Sequence, residues 1–113
     1  MQILYKIIDA EAWGVAVTDG VFHGAAIDLR DGYIHLSTAT QVKETARLHF
    51  ADVTDLLLVA IHEAQVAGRL KWEASRGGQL FPHVYGTIDP AQIVWAKPLP
   101  WDGGTHVFPA EMI

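Results

Sequence analysis

The stretch 70–86, Leu-Lys-Trp-Glu-Ala-Ser-Arg-Gly-Gly-Gln-Leu-Phe-Pro-His-Val-Tyr-Gly, gathers Trp72, Glu73, Ser75, Arg76, the Gly77-Gly78 pair, His83 and Tyr85 with few aliphatic residues among them. A run that mixes a fixed cation, a carboxylate, an imidazole and aromatic faces around a flexible turn packs a core poorly and walls a polar pocket well. Arg76 offers a rigid fork of donors that matches carboxylate or phosphate oxygens, and the two glycines after it allow close backbone approach or lid motion; a solvated arginine on a surface hairpin turn is the ordinary alternative. Glu73, next to Trp72, is a candidate acid, base or electrostatic stabiliser, and His83 and Tyr85 fall on one face of a strand. Phe81 and Pro82 shape the approach to that pair.

A second stretch, Asp31-Gly32-Tyr33-Ile34-His35-Leu36-Ser37-Thr38, sets a histidine inside a strand pattern. Alternation turns His35 away from Ile34 and Leu36, either as a ligand contact or as an ordinary half-buried, hydrogen-bonded histidine. Ser37 and Thr38 then stand at a helix start, where free backbone N–H groups favour an anion, although hydroxyls there are also common caps. Other chemistries are less well supplied. No short ligand spacing such as His-Glu-x-x-His is present, so metal-assisted hydrolysis is the weakest alternative and no metal ligands are assigned. Neither Ser37 nor Ser75 sits in a Gly-x-Ser-x-Gly elbow, and the dinucleotide and phosphate-loop glycine patterns are missing. His23, His49, His62 and His106 lack polar company in sequence and read as structural or exposed.

Several elements must position these groups. Ile3–Ile8 reads as a strand and Glu11–Val17 as a helix capped by Asp9. Val21–Arg30 shows no clean period, and Asp31-Gly32 reads as a tight turn into a strand over Tyr33–Leu36. Thr38 and Gln41 have capping-box spacing ahead of a helix over Thr40–Phe50, with Val42, Thr45, Ala46 and His49 or Phe50 at helical intervals. Leu56–Ile61 is a continuous aliphatic run and predicts the centre of the sheet. Lys71–Ala74, Val84–Ile88 and Ile93–Leu99 add shorter strands, with Pro98 and Pro100 ending the ladder. Short strands and two short helices without regular alternation predict an α+β fold with a small curved mixed or antiparallel sheet.

At 113 residues, half of them apolar, the chain fits one domain over residues 1–113. With no cysteine there is no disulfide framework and no thiolate chemistry, and with no leader-like start the expected compartment is cytoplasmic. The net charge is −5 and the eight Lys and Arg residues are scattered, so no nucleic-acid partner is expected. No segment nears the ~18 apolar residues of a membrane helix, so no membrane partner is expected either. Nothing in the sequence points to a protein partner.

The segments 31–39, Gln41 with Thr45-Ala46, 70–78 and Phe-Pro-His-Val-Tyr-Gly at 81–86 together resemble the bacterial family called domain of unknown function 952, as do Leu4–Ile7 and the helix around Trp13. The resemblance spans residues 3 to 95 or so. In outline that family is similar to the ADP-ribosyltransferase superfamily, whose split α+β core binds NAD between two sheets. Those enzymes carry a ligand-binding His or Arg on the first strand, a Tyr or Ser strand followed by a helix, and a late catalytic Glu. The Gly32–Leu36 strand resembles the middle element. Tyr5-Lys6 stands where His or Arg is usual, and the late Glu position falls near His83, with Glu73 on an earlier strand.

The resemblance therefore implies a nucleotide-like small-molecule ligand, with NAD as the candidate substrate and no resident cofactor. Arg76 and the Ser37-Thr38 corner would meet phosphate, with Ser75 also among the ligand-binding residues; Tyr33, Trp72 or Tyr85 would meet a ring; His35 and His83 would orient ribose hydroxyls. Catalysis, if present, would fall at the N-glycosidic bond, with Glu73 or His83 stabilising the developing charge. The rival expectation is a non-catalytic sensor or partner-binding module for a small acidic metabolite.

Overall fold

The computed structural model describes residues 2–112, and of Arg76 the backbone alone. Its first strand, β1 (Ile3–Asp9), runs straight into helix α1 (Ala10–Asp19), because Asp9 turns the chain and its carboxylate accepts the Glu11 N–H. A left-handed Gly20 ends that helix. Next come α2 (Ala26–Asp31), β2 (Ile34–His35), β3 (Ser37–Thr38), α3 (Val42–His49), β4 (Leu56–His62), α4 (Glu63–Val66), β5 (Leu70–Ala74), β6 (Leu80–Val84) and β7 (Trp95–Pro98).

The strands form two sheets, ordered β3-β1-β4-β7 and β2-β6-β5, and every named strand pair is antiparallel. This is an α+β fold, as expected, and the Leu56–Ile61 run lies inside its sheet. Leu4 and Ile8 of β1 pack with Trp13, Phe22, Ile34, Leu36, Val59 and Val84, joining both sheets in one apolar cluster. On the other face of β1, Tyr5 and Ile7 pack with Val42 and Ala46 of α3, Leu58 and Leu99. Alternation therefore puts Lys6 on the Leu4 and Ile8 side, a cation among aliphatic neighbours.

One piece of chain belongs to both sheets. Ile34 and His35 pair with Val84 and His83 of β6, whereas Ser37 and Thr38, two residues later, pair with Tyr5 and Leu4 of β1. Leu36 is the crossing point, and its N–H donates to the Pro82 carbonyl. Since β3 covers only that part of β1, the sheets part beside Lys6 and Ile7 and leave an opening there.

Three expectations need correction. Four α-helices occur among the described residues, not two: α2 escaped notice because its buried residue is Asp28, and α4 is a four-residue turn anchored by Val66. The tight turn expected at Asp31-Gly32 does lead into β2, but what it closes is the unexpected α2, where Gly32 takes φ +89 and donates to the Asp28 carbonyl. The strand placed over Val84–Ile88 is in fact β6, ending at Val84. Beyond it Tyr85 bonds back to the Arg69 carbonyl, and Gly86 lies so close to Arg69 that a Cβ would stand 2.6 Å from its Cδ. The chain then leaves for a bridge between Ile88 and Phe22.

Candidate functional site

The opening between the sheets is a cavity of about 410 Å³. β1 contributes Tyr5, Lys6 and Ile7, the crossing strand contributes His35, Leu36 and Ser37, α3 and its end contribute Thr45, His49 and Phe50, and the β5–β6 hairpin contributes Ser75, Phe81 and His83. Residues far apart in sequence thus converge because one strand serves two sheets.

On one side of the cavity a polar network closes completely. Asp28, buried on α2, accepts from Lys6 Nζ with both carboxylate oxygens at 2.9–3.0 Å, from the Ala25 N–H at 2.7 Å and from the His35 N–H at 3.1 Å. Its Oδ1 also lies 2.6 Å from His35 Nδ1, while His35 Nε2 faces Asp31 Oδ2 at 3.0 Å. Two carboxylates against the two ring nitrogens are both satisfied by hydrogen bonds only when the ring carries both protons. Burial alone would raise the Asp28 carboxyl, but the His35 hydrogen bond and the Lys6 ammonium outweigh it and hold it at about 2. Burial lowers Lys6, against the pull of Asp28. Gly24 makes the arrangement possible, since at φ +124 a Cβ there would stand 2.8 Å from that of Asp28.

The other side is held at one end and open at the other. His35 and His83 are directly paired across β2 and β6, and Lys71 and Glu73 lie on the same face of β5. Glu73 Oε1 lies 2.8 Å from His83 Nδ1 and accepts from the Tyr85 hydroxyl at 2.8 Å. Those hydrogen bonds, His83's first, lower the Glu73 carboxyl, and Glu73 in turn raises the Tyr85 phenol. Tyr33 stacks on His83 with centroids 4.2 Å apart and planes at 18°, and it also touches His35 and Tyr85. Lys71 Nζ sits 4.7 Å from the centre of the Tyr85 ring.

Among the described residues His83 Nε2 makes no hydrogen bond, and no fully buried side-chain nitrogen or oxygen lacks a partner. The ring is 3 % exposed and lines the cavity, so Nε2 is reached from the cavity.

The structure thus brings His35, His83, Ser37 and Ser75 to the cavity, with Tyr33, Glu73 and Tyr85 next to His83. Ser37 is buried and its hydroxyl meets that of Thr45 at 3.2 Å. Thr38 is not brought there: its N–H goes to Gln41 Oε1 and its hydroxyl to Thr40, so the expected anion corner is filled by internal bonds. Trp72 pairs with Pro82, on the face of β5 opposite Glu73. The Arg76 side chain lies outside the described residues; its backbone, with Gly77 and Gly78 at positive φ, forms the hairpin turn that β5 and β6 share.

Lys6, Asp28, Asp31 and His49 were missed as site residues. Lys6 left a signal, as the one cation alternating with Leu4 and Ile8 in an apolar strand. His49 follows Thr45 by one helical turn, which placed it on the inner side of α3. Asp31 opens the stretch that holds His35, and Asp28 left no signal. Among the described residues no three His, Asp or Glu side chains are grouped as metal ligands, and no helix is long and apolar enough to cross a membrane.

A family described as "Protein of unknown function (DUF952)" matches residues 7–96. The crystal structure of protein CC0527 from Caulobacter crescentus is similar over 98 % of both chains, at 37 % identity and a TM-score of 0.92. Its solution NMR structure is similar over 91 % of this chain and 89 % of that one, at 40 % identity and a TM-score of 0.81. No curated protein matches the chain.

Proposed function

The chain belongs to the DUF952 family, and we propose that its cavity binds a nucleotide-like small molecule through an anionic phosphate group, with NAD as the candidate. One observation carries this reading. A chain of net charge −5 with thirteen acidic residues builds a cavity lined by Lys6, His35, His49 and His83 and by no Asp or Glu. Asp28 and Asp31 pair with Lys6 and His35 from outside the lining, so the wall itself presents the Lys6 ammonium, imidazole rings and hydroxyls. Such walls offer hydrogen-bond donors to an anion, and the volume is of the usual order, ~300–1,000 Å³, for small-molecule sites.

The strand shared between two sheets supports an ADP-ribosyltransferase-like core with the ligand in the split. Lys6 then stands on the first strand where those enzymes use His or Arg. In this reading His83 meets a ribose hydroxyl, Ser37, Ser75 and Arg76 meet phosphate, and Tyr33 or Tyr85 meets a ring, while His35, with both ring nitrogens bonded to carboxylates, holds the wall. Cleavage at the N-glycosidic bond is the reaction that the superfamily suggests. A second reading, a non-catalytic metabolite sensor, is favoured by the position of Glu73, which bonds His83 and Tyr85 and does not line the cavity.

A thermal-shift series with NAD, ADP-ribose and acidic metabolites tests binding, because a ligand of the folded state raises its melting point. A rise with NAD or ADP-ribose is expected. Its absence for every phosphate-bearing ligand refutes the nucleotide reading, and a rise without turnover identifies the sensor.

A further inference from the structure

Resting on that proposed binding of a phosphate-bearing nucleotide, we propose that the bond broken in the cavity lies at phosphorus, with His83 Nε2 taking the proton of the attacking water. Three imidazoles line the cavity, and only one has the geometry of a base. His35 has both nitrogens committed to Asp28 and Asp31. His49 is exposed, and among the described residues no hydrogen bond fixes its ring. His83 is held at Nδ1 by the Glu73 carboxylate, backed by the Tyr33 ring, and open at Nε2 toward the cavity. A carboxylate acceptor keeps the proton on Nδ1 and leaves the Nε2 lone pair free to accept another. Glu73 acts through His83, as a positioning residue.

The charges of the lining decide which bond. Breaking a glycosidic bond builds positive charge on the sugar and calls for a carboxylate beside it. None lines this cavity, whose wall presents instead the Lys6 ammonium and the Ser37 and Ser75 hydroxyls. Attack on phosphorus instead leaves negative charge on phosphoryl oxygens, which those same groups stabilise. In the step, the water oxygen bonds to phosphorus and its proton passes to Nε2. The bond to the bridging oxygen breaks, and its electron pair leaves on that oxygen. For a pyrophosphate the leaving group is a phosphate monoester and needs no protonation, and His83 then returns the proton to solvent.

NAD distinguishes the two bonds by its products. The full chain is incubated with NAD and the products are separated by ion-exchange chromatography. AMP and nicotinamide mononucleotide are expected. His83→Asn keeps a donor for Glu73 and removes Nε2, while His83→Gln keeps a polar group near Nε2 that cannot act as a base. Both should lose roughly 100-fold or more of the rate at saturating NAD. Nicotinamide with ADP-ribose as products, or AMP formed equally by both variants, overturns the proposal. So does a thermal shift with no product, which leaves the binding reading standing. Neither shift nor product overturns both.

Discussion

The two histidines that face each other across β2 and β6 live in opposite circumstances. His35 is enclosed: Asp28, Asp31 and the Lys6 pair behind it account for both ring nitrogens and hold the ring in place. His83 is anchored at one nitrogen only, by a partly exposed glutamate, and its other nitrogen opens on the cavity. Equal placement in the sheet therefore does not mean equal function. A closed network spends its hydrogen-bonding capacity on fixing geometry and charge, whereas an open one keeps capacity in reserve for a ligand or a proton.

If the His35 side is scaffold, damage to it should appear first in stability. Asp28→Ala leaves the Lys6 ammonium buried without its partner and strips the His35 N–H and the start of α2 of their acceptor. A loss of about 3–5 kcal/mol is expected, measured by urea unfolding. A loss under ~1 kcal/mol would mean that water reaches Lys6, and the contrast with His83 would weaken.

The next effect is the acid limb of stability. Asp28 is held at about 2 against an ordinary 3.8, so its charged form is favoured by folding. That contribution is complete above the unfolded value and disappears as pH falls from about 4 through 2. Its size is roughly 2 kcal/mol, and urea midpoints measured across this window should show it. In Asp28→Asn this part of the pH dependence should vanish. An unchanged acid limb in that variant would assign the effect to other carboxylates.

That scaffold was also the part least legible in the sequence. β1, α1 and α3 were readable from apolar residues at their own period and β4 from its unbroken aliphatic run, and Thr38 with Gln41 did form half of the capping exchange. α2 broke the rule: its buried residue is a carboxylate, and Ile27 and Leu29 are exposed. Apolar periodicity cannot reveal a helix whose core contact is an ion pair. His35, Glu73, His83 and Tyr85 were legible as chemistry because they crowd into two short stretches. Their division into a closed and an open pair was not, because it depends on Lys6 and Asp28, which lie 22 positions apart.

The smallest effect on stability, and the sharpest test of the open side, belongs to Glu73→Gln. The Glu73–His83 contact lies partly in solvent, so its removal should move the unfolding midpoint far less than Asp28→Ala does. What should change is the ring. A carboxylate can only accept, so the neutral wild-type imidazole must keep its proton on Nδ1 and its lone pair on Nε2. A glutamine amide can accept or donate, and both tautomers then become satisfiable. Nitrogen NMR of labelled histidine should show one tautomer of His83 in the wild type and a mixture in the variant. A mixture already present in the wild type would show that Glu73 does not orient the ring, and a midpoint loss matching that of Asp28→Ala would show that both histidines belong to one scaffold.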